Sequence, residues 1–371
     1  MEQKRSLENM EVNIFFGKKV FVTGHTGFKG SWLLLLLHRL GAQVKGYALA
    51  AADQSLFAIL HLENSCLHIE ADIRDKERLK NEILEFQPDF VFHLAAQPLV
   101  LESYRDPVYT FEVNHLGTVY LLDALRFLKK PCATIVVTTD KVYEDQKSLH
   151  PYRETDRLGG YDPYSTSKAT CELALTSYRN SFFNATLGNN TQAIASARAG
   201  NVIGGGDFSK DRLIPDIFRS LESNALIKLR NPDAIRPWQH VLDALYAYVW
   251  LAARLASKPQ DSTLQTAWNF GPEPGDFLRV EQVVQQCIKI YGKGSYKIEK
   301  ANPLWKETQF LTLDISKAKA ELKWRPMWDA TISIQKTMAW YQKFVKNPDT
   351  IRDYTTAQID EFLSTQPIGH A

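Results

Sequence analysis

Lys18 to Leu49 read KKVFVTGHTGFKGSWLLLLLHRLGAQVKGYAL, which parses as a strand, a glycine turn, a helix and a second strand. Val20, Phe21 and Val22 form a short apolar strand, and Gly24 permits the tight turn that follows. Gly27 lets backbone approach a pyrophosphate, and Gly30 allows close packing of helix against strand. The helix that begins near Ser31 aims its free N–H groups and positive dipole end at that pyrophosphate. A spaced glycine triplet is weak by itself, since ordinary turns carry one too. Set between a strand and a helix it points to a dinucleotide, with Thr26, Phe28 and Lys29 inside the turn among the expected cofactor contacts.

Two further pieces stand where a dinucleotide fold places them. Asp72 follows the apolar run CLHIEA and is set to accept hydrogen bonds from an adenine edge, with Ile73 beside it. Leu94, Ala95 and Ala96 end the strand DFVFHLAA, and small residues there leave room for a nicotinamide ribose. Ordinary strand-end chemistry explains either equally well. Ribose selection is the weak link, because no acidic residue directly ends the second strand at Tyr47, Ala48 and Leu49. Asp53 is the nearest candidate, or else it caps the next helix. No arginine stands there to pair with a 2′-phosphate, which favours NAD over NADP.

Strand and helix signals alternate up to about residue 200, the pattern of a doubly wound α/β sheet with helices on both faces. Strands are expected near 19–23, 43–48, 66–71, 89–95, 133–138 and 192–198, and helices near 29–40, 75–86, 107–129 and 163–182. After Asn201 the pattern loosens into GNVIGGGDFSKDRLIP, the start of a second, smaller domain. HVLDALYAYVWLAARL then reads as a helix and TAWNFG as a strand, so the first domain is expected to be discontinuous. With 371 residues the chain is too long for one compact core.

The balance of 44 basic and 42 acidic residues gives no reason to expect a nucleic-acid or membrane partner. Cys66, Cys132, Cys171 and Cys287 have no paired spacing, which argues against a disulfide framework and against a metal site. A reducing, cytoplasmic setting fits best. WLLLLLHRL is too short to span a bilayer, and the first residues lack the apolar core of an export signal.

Chemistry enters with Thr139, Asp140 and Lys141, followed by Tyr164 and Lys168. Tyr164 and Lys168 stand four apart in a helical stretch, so their side chains share one face about one turn apart. The ammonium is expected to lower the tyrosine pKa and so let Tyr164 take a proton from a substrate hydroxyl that Thr139 holds. Alone, that spacing also arises in any amphipathic surface stripe. For Asp140 and Lys141 the bland alternative is a solvated ion pair at a loop start.

The chain resembles the extended short-chain dehydrogenase/reductase family, and within it the CDP-sugar branch of the nucleotide-sugar 4,6-dehydratases. The likeness runs from about Gly17 to Trp328. It is carried by TGHTGFKGSW, HLAAQPLV, TTDKVYE, YRETDRLGGYDPYSTSK, RAGNVIGGGDF, RNPDAIRPWQHV and WNFGP, in family order. Relatives acting on dTDP-glucose carry Thr-Asp-Glu where this chain has Thr139-Asp140-Lys141, and lysine there marks the CDP branch.

The resemblance implies a Rossmann-type domain over residues 1–200, with 237–270 returning to it. A smaller nucleotide-sugar-binding domain would comprise 201–236 and 271–371. It implies an NAD-dependent hydro-lyase that oxidises CDP-glucose at C4, eliminates water across C5 and C6, and returns hydride to C6, serving deoxysugar and surface-polysaccharide synthesis. Tyr164 would take the C4 hydroxyl proton, Asp140 would protonate the departing C6 hydroxyl, and Lys141 would occupy the place of the C5 base or stabilise the enolate. Gln97, Tyr161, Asn201, Arg212, Arg236 and His240 fall in segments that face the substrate in this family, and Asn114 is implied as a backbone clamp. Each arginine equally suits an exposed surface, and Asn114 a water-facing helix position.

The helices at 107–129 and 163–182 are more apolar than one buried face requires, so a homodimer or homotetramer is expected. A C4 epimerase, a dehydratase for another nucleotide and a non-catalytic NAD-binding scaffold are the competing functions.

Overall fold

The structure is a computed structural model that describes residues 11–146, 150–183, 192–299 and 310–365. The alternating apolar runs assemble one seven-stranded sheet. Its strands are β1 (Lys19–Thr23), β2 (Gln43–Ala48), β3 (Leu67–Glu70), β4 (Phe90–His93), β5 (Cys132–Val137), β6 (Gln192–Ala199) and a seventh, Ala267–Phe270. Their spatial order is β3-β2-β1-β4-β5-β6 and then Ala267–Phe270, and every pairing is parallel. The chain reverses its direction of travel across the sheet between β1 and β4. That reversal opens a crevice beyond the carboxyl ends of those two strands.

Buried on both faces, the central strands are near-continuous apolar runs. One core lies under the helices Phe28–Arg39 and Val241–Ser257 and gathers Trp32 to Leu37, Trp268 and Phe270. The opposite core lies under Lys76–Phe86, Gly117–Leu125 and Pro163–Ser181 and gathers Phe21, Tyr47, Leu121, Leu125 and Leu175. WLLLLL is therefore a fully buried helix that packs against the sheet.

Beyond Asn201 three two-stranded ladders join 202–203 to 239–240, 235–236 to 278–279, and 227–229 to 296–298. The helix Leu213–Glu222 buries Ile214, Ile217, Phe218 and Leu221, the i, i+3, i+4, i+7 stripe of an amphipathic helix. The glycine run 204–206 is a packing device. A Cβ on Gly205 would sit 1.9 Å from the Trp340 ring, and the Gly205 carbonyl accepts the Trp32 indole N–H at 2.9 Å. The helix Ile351–Ser364 packs back on the segment between β2 and β3, where Arg352 donates to the Leu60 carbonyl and to Ser65.

The expected helix over 107–129 is not continuous. It is preceded by Val100–Arg105, restarts at Pro107 with Asp106 as cap, widens into a π-turn at Glu112–Leu116 and resumes as Gly117–Leu125. Proline at the first helical position forces the restart, because it has no N–H for the preceding turn. The π-turn is what carries Asn114 inward, fully buried.

Candidate active site

The glycine turn fits a pyrophosphate. Gly24 has φ +74°, and a Cβ there would fall 2.6 Å from the Ala95 nitrogen, so only glycine lets the turn lie against the end of β4. Gly27 is the cap of the helix Phe28–Arg39 and offers no side-chain acceptor, which leaves first-turn N–H groups for an anion. Gly30 was expected to ease helix against strand; it eases helix against the turn, since its Cβ would meet the Gly24 carbonyl at 2.2 Å. Thr26 ties the turn to the Leu49 carbonyl at 3.1 Å, and Phe28 abuts Gly204.

Farther along the crevice, the Asp72 carboxylate is taken by Arg74 at 2.8 Å, and that hydrogen bond holds its pKa below the usual carboxylate range. Arg74 reaches on to Glu112 at 2.9 Å. Ile73 is buried against Gly117. The cap of the helical turn Leu56–Ile59 is Ser55, not Asp53, which is exposed.

At the end of β5 the chain leaves the sheet at Thr138 and enters a 3₁₀ turn, Asp140–Val142, capped by Thr139. The Thr139 hydroxyl donates to Asp140 Oδ1 at 2.9 Å. Asp140 Oδ2 is buried with no hydrogen-bond partner among the described residues, and a Cβ on Gly200 would stand 3.1 Å from it. Burial raises the Asp140 pKa, opposed by Lys141, Thr139, Arg236 and Lys29. Lys141 is half-buried beside it.

The helix Pro163–Ser181 starts on Asp162, which accepts from the Ser165 N–H at 2.9 Å and from the Ser165 hydroxyl at 2.6 Å. This start brings Tyr164 and Lys168, both buried, to the Thr139 turn. The Tyr164 pKa does not fall as expected. Burial pushes it up to about 12, against the pull of a hydrogen bond with Thr139 and the charge of Arg212. The Lys168 ammonium is turned to the Val137 carbonyl at 3.3 Å, and burial lowers its own pKa.

Asn114 is a clamp. Its Oδ1 accepts the Gln97 N–H at 2.8 Å, and its Nδ2 donates to the Gln97 carbonyl at 3.1 Å and to Ser167 at 2.9 Å. The Gln97 amide is also engaged at both ends, by Thr110 at 2.9 Å and by the Leu99 N–H at 2.6 Å. Both amides thus hold the loop after β4 rather than reach into the crevice. Arg212 pairs with Asp207 at 3.3 Å and acts electrostatically on Tyr164 and Lys29. Arg236 acts on Asp140 and donates to the Ile235 carbonyl at 2.9 Å. Asn201 is half-buried, and its carbonyl accepts the Gln239 N–H at 3.1 Å; Tyr161 is exposed.

His240 is not brought to the site. It is fully buried as the cap of the helix Val241–Ser257, with Nδ1 accepting the Leu242 N–H at 3.2 Å and its ring between Trp32 and Trp328. Burial drops its pKa to about 3, so it is neutral there.

Other residues join the site without a motif of their own in the sequence. His25 bonds His68 at 2.6 Å in the space left by Gly46, where a Cβ would fall 2.4 Å from the His25 ring. A lone glycine inside a strand was the available signal. Tyr248 is buried beneath Lys29, its hydroxyl 3.5 Å from the ammonium. Glu172 and Arg198 form a buried pair at 2.9 Å behind the Thr139 turn. Among the described residues no group of three His, Cys, Asp or Glu is placed to hold a metal ion, and no helix is long and apolar enough to cross a membrane.

A family model described as GDP-mannose 4,6 dehydratase matches residues 21–337. The chain is 44% identical over 344 residues, covering 92% of its length and 95% of the relative, to a CDP-glucose 4,6-dehydratase of Salmonella typhimurium. Among solved structures, a UDP-glucose 4-epimerase of Thermus thermophilus in complex with NAD superposes with TM-score 0.72 at 25% identity, covering 87% of this chain and 99% of that one. A double mutant of the dTDP-glucose 4,6-dehydratase of Streptomyces venezuelae, with NAD bound, gives TM-score 0.74 at 21% identity over 87% of this chain and 97% of that one.

The crowding of cations around the turn has a measurable consequence. Burial, helped by Arg212, lowers the Lys29 pKa from 10.5 to about 7. Between those values the unfolded chain holds the extra proton, so stability rises with pH across that window, and below it the full penalty of burying the charge persists. Lys29→Met in the cofactor-free protein raises Tm most at or below pH 7, and the gain shrinks as pH climbs toward 10. A gain independent of pH would contradict the placement.

Proposed function

This chain belongs to the GDP-mannose 4,6 dehydratase family, among the extended short-chain dehydrogenases/reductases, and from that premise we propose that it converts CDP-glucose to CDP-4-dehydro-6-deoxyglucose with NAD. Asp140 carries the proposal. Oxidation at C4, or inversion there, needs the Tyr164–Lys168 pair but no acid, whereas elimination needs a proton donor for the leaving hydroxyl. A buried carboxyl whose pKa is raised and whose Oδ2 has no partner among the described residues is suited to be such a donor. The CDP assignment is supported by Lys141 after Thr139-Asp140 and by the 44% identical relative.

Bound NAD would supply the hydride acceptor for C4, the hydride donor for C6, and a positive ring that favours the Tyr164 phenolate. The glycine turn and the open first turn of the helix Phe28–Arg39 would hold its pyrophosphate. Thr139 and Tyr164 hold the C4 hydroxyl, and Tyr164 takes its proton as the C4–O bond becomes a carbonyl. The C5 hydrogen, now next to that carbonyl, is acidic. Lys141 lies on the same turn and is assigned to remove it or to steady the enolate that results. As the enolate collapses, the C5–C6 double bond forms and the C6–O bond breaks. Asp140 gives its proton to the departing hydroxyl and water leaves; when C6 regains hydride, C5 takes back a proton from the Lys141 side, one exchangeable with solvent. Arg212 and Arg236 supply positive charge for the diphosphate, with planar forks suited to phosphate oxygens.

We further propose a homodimer built on the outer faces of the helices at 100–125 and 163–181, which expose Tyr104, Val108, Leu116 and Leu173. Large side chains at these positions would be buried by a second copy. A single species of monomer mass in light scattering at micromolar concentration would contradict it.

The chemistry is tested by incubating the protein and NAD with CDP-, dTDP-, UDP- and GDP-hexoses in deuterated water and following products by NMR. The expected result is conversion of CDP-glucose alone to a 4-keto-6-deoxy sugar carrying deuterium at C5. Inversion at C4 without loss of water would replace the dehydratase by an epimerase.

A further inference from the structure

Glu172 and Arg198 are 1% and 3% exposed, and nothing in the chemistry above uses them. Four donors converge on the carboxylate. Oε1 accepts from the Thr138 hydroxyl at 2.6 Å and from Arg198 Nε at 3.0 Å; Oε2 accepts from the Ser196 hydroxyl at 2.6 Å and from Arg198 Nη2 at 2.9 Å. Arg198 Nη1 donates to the Tyr143 hydroxyl at 2.8 Å. That hydroxyl donates in turn to Asn269 Oδ1 on the seventh strand at 2.6 Å. Taking two charges out of water consumes most of their mutual attraction, and apolar residues of similar volume often serve stability as well. What sets this pair apart is what its hydrogen bonds hold.

The turn that carries the chemistry runs from Thr139 to Lys141. Thr138 directly precedes it and Tyr143 follows it by two residues, so one end of the turn is tied to Glu172 and the other to Arg198. Glu172 also lies on the helix Pro163–Ser181, one turn beyond Lys168 and two beyond Tyr164, on the same face. A single ion pair therefore fixes both ends of the acid-bearing turn and fixes that turn to the tyrosine–lysine helix. Burial pulls the Glu172 pKa up, and Arg198 with the hydroxyl donors outweighs it, so the carboxylate stays charged and the anchor stays closed.

We propose that the Glu172–Arg198 pair is a positioning unit for the elimination half of the reaction, holding Asp140 and Lys141 in register with Tyr164 and Lys168. It rests on the dehydratase reading. Neither residue touches the sugar; each acts through Thr138 or Tyr143. Oxidation depends on Thr139, Tyr164 and Lys168, two of which sit on the helix itself. Loosening the turn at either end displaces both Asp140 and Lys141, whereas two of the three oxidation residues keep their place on the helix, so delivery of the Asp140 proton suffers more than the transfer at C4.

Tyr143→Phe removes one tie while the ring remains stacked on Tyr152 at 4.9 Å. In the full-length protein with CDP-glucose deuterated at C4 or at C5, this variant is expected to lose about tenfold in kcat, a modest share of what an ångström of misplacement can cost. KM stays within about twofold. The isotope effect from C5 grows and that from C4 shrinks relative to wild type, because elimination has become the slower step. Thr138→Val cuts the other tie with the same outcome and serves if Tyr143→Phe does not fold. Thr138→Ser keeps the hydroxyl and returns both isotope effects to the wild-type values.

Rate lost with both isotope effects unchanged, or no rate lost in either variant, would overturn the proposal. Failure of the wild-type protein to turn over CDP-glucose sinks the dehydratase reading instead, and hydrogen exchange then decides on the anchor. Selectively faster exchange at residues 139–142 in the variants supports it, and unchanged exchange there overturns it.

Discussion

A carboxyl group buried with one oxygen unpaired is the constraint on which the site depends. Asp140 stands at the end of a fully buried strand, in a turn whose only side-chain donor to it is Thr139. Keeping such a group neutral costs little, whereas charging it there is expensive, so burial favours the protonated form at the crevice. The cations around it pull in the other direction. Lys141, Arg236 and Lys29 all favour the charged form, and burial outweighs them. The balance leaves an acid that can give up its proton when charge develops on a leaving hydroxyl.

The sheet topology brings this acid to the cofactor cradle. Because β1 and β4 are neighbours at the point where the strand order reverses, the glycine turn after β1 and the small residues after β4 face one crevice. β5 lies next to β4, so the Thr139 turn opens on the same side. The helix Pro163–Ser181 then lays Tyr164 and Lys168 against that turn. On the proposed mechanism, oxidation and elimination are arranged around one sugar position, with the two sets of residues on elements that the Glu172–Arg198 pair ties together.

Local features were legible in the sequence. The glycine turn, the Tyr164–Lys168 spacing and the strand ends are encoded within a few residues, and the sheet was readable because its strands are short apolar runs between helical patterns. Features that depend on distant partners were not. Glu172 and Arg198 lie on different elements, and nothing in the sequence around either one names the other. His240 reads as a polar residue near arginine, and only packing shows it closed between Trp32 and Trp328. The direction of the Tyr164 shift turned on burial, which outweighed the nearby charges in the folded chain. The helix start near 107 was placed from the sequence, but the π-turn that points Asn114 at Gln97 has no local signature.

The most direct test of Asp140 as the acid for the leaving hydroxyl is Asp140→Asn, assayed with CDP-glucose and NAD in deuterated water. The account predicts that C4 oxidation and deuterium exchange at C5 persist while release of water falls by about two to three orders of magnitude, the lower half of what a positioned general acid contributes. Dehydration at the wild-type rate in this variant would contradict it.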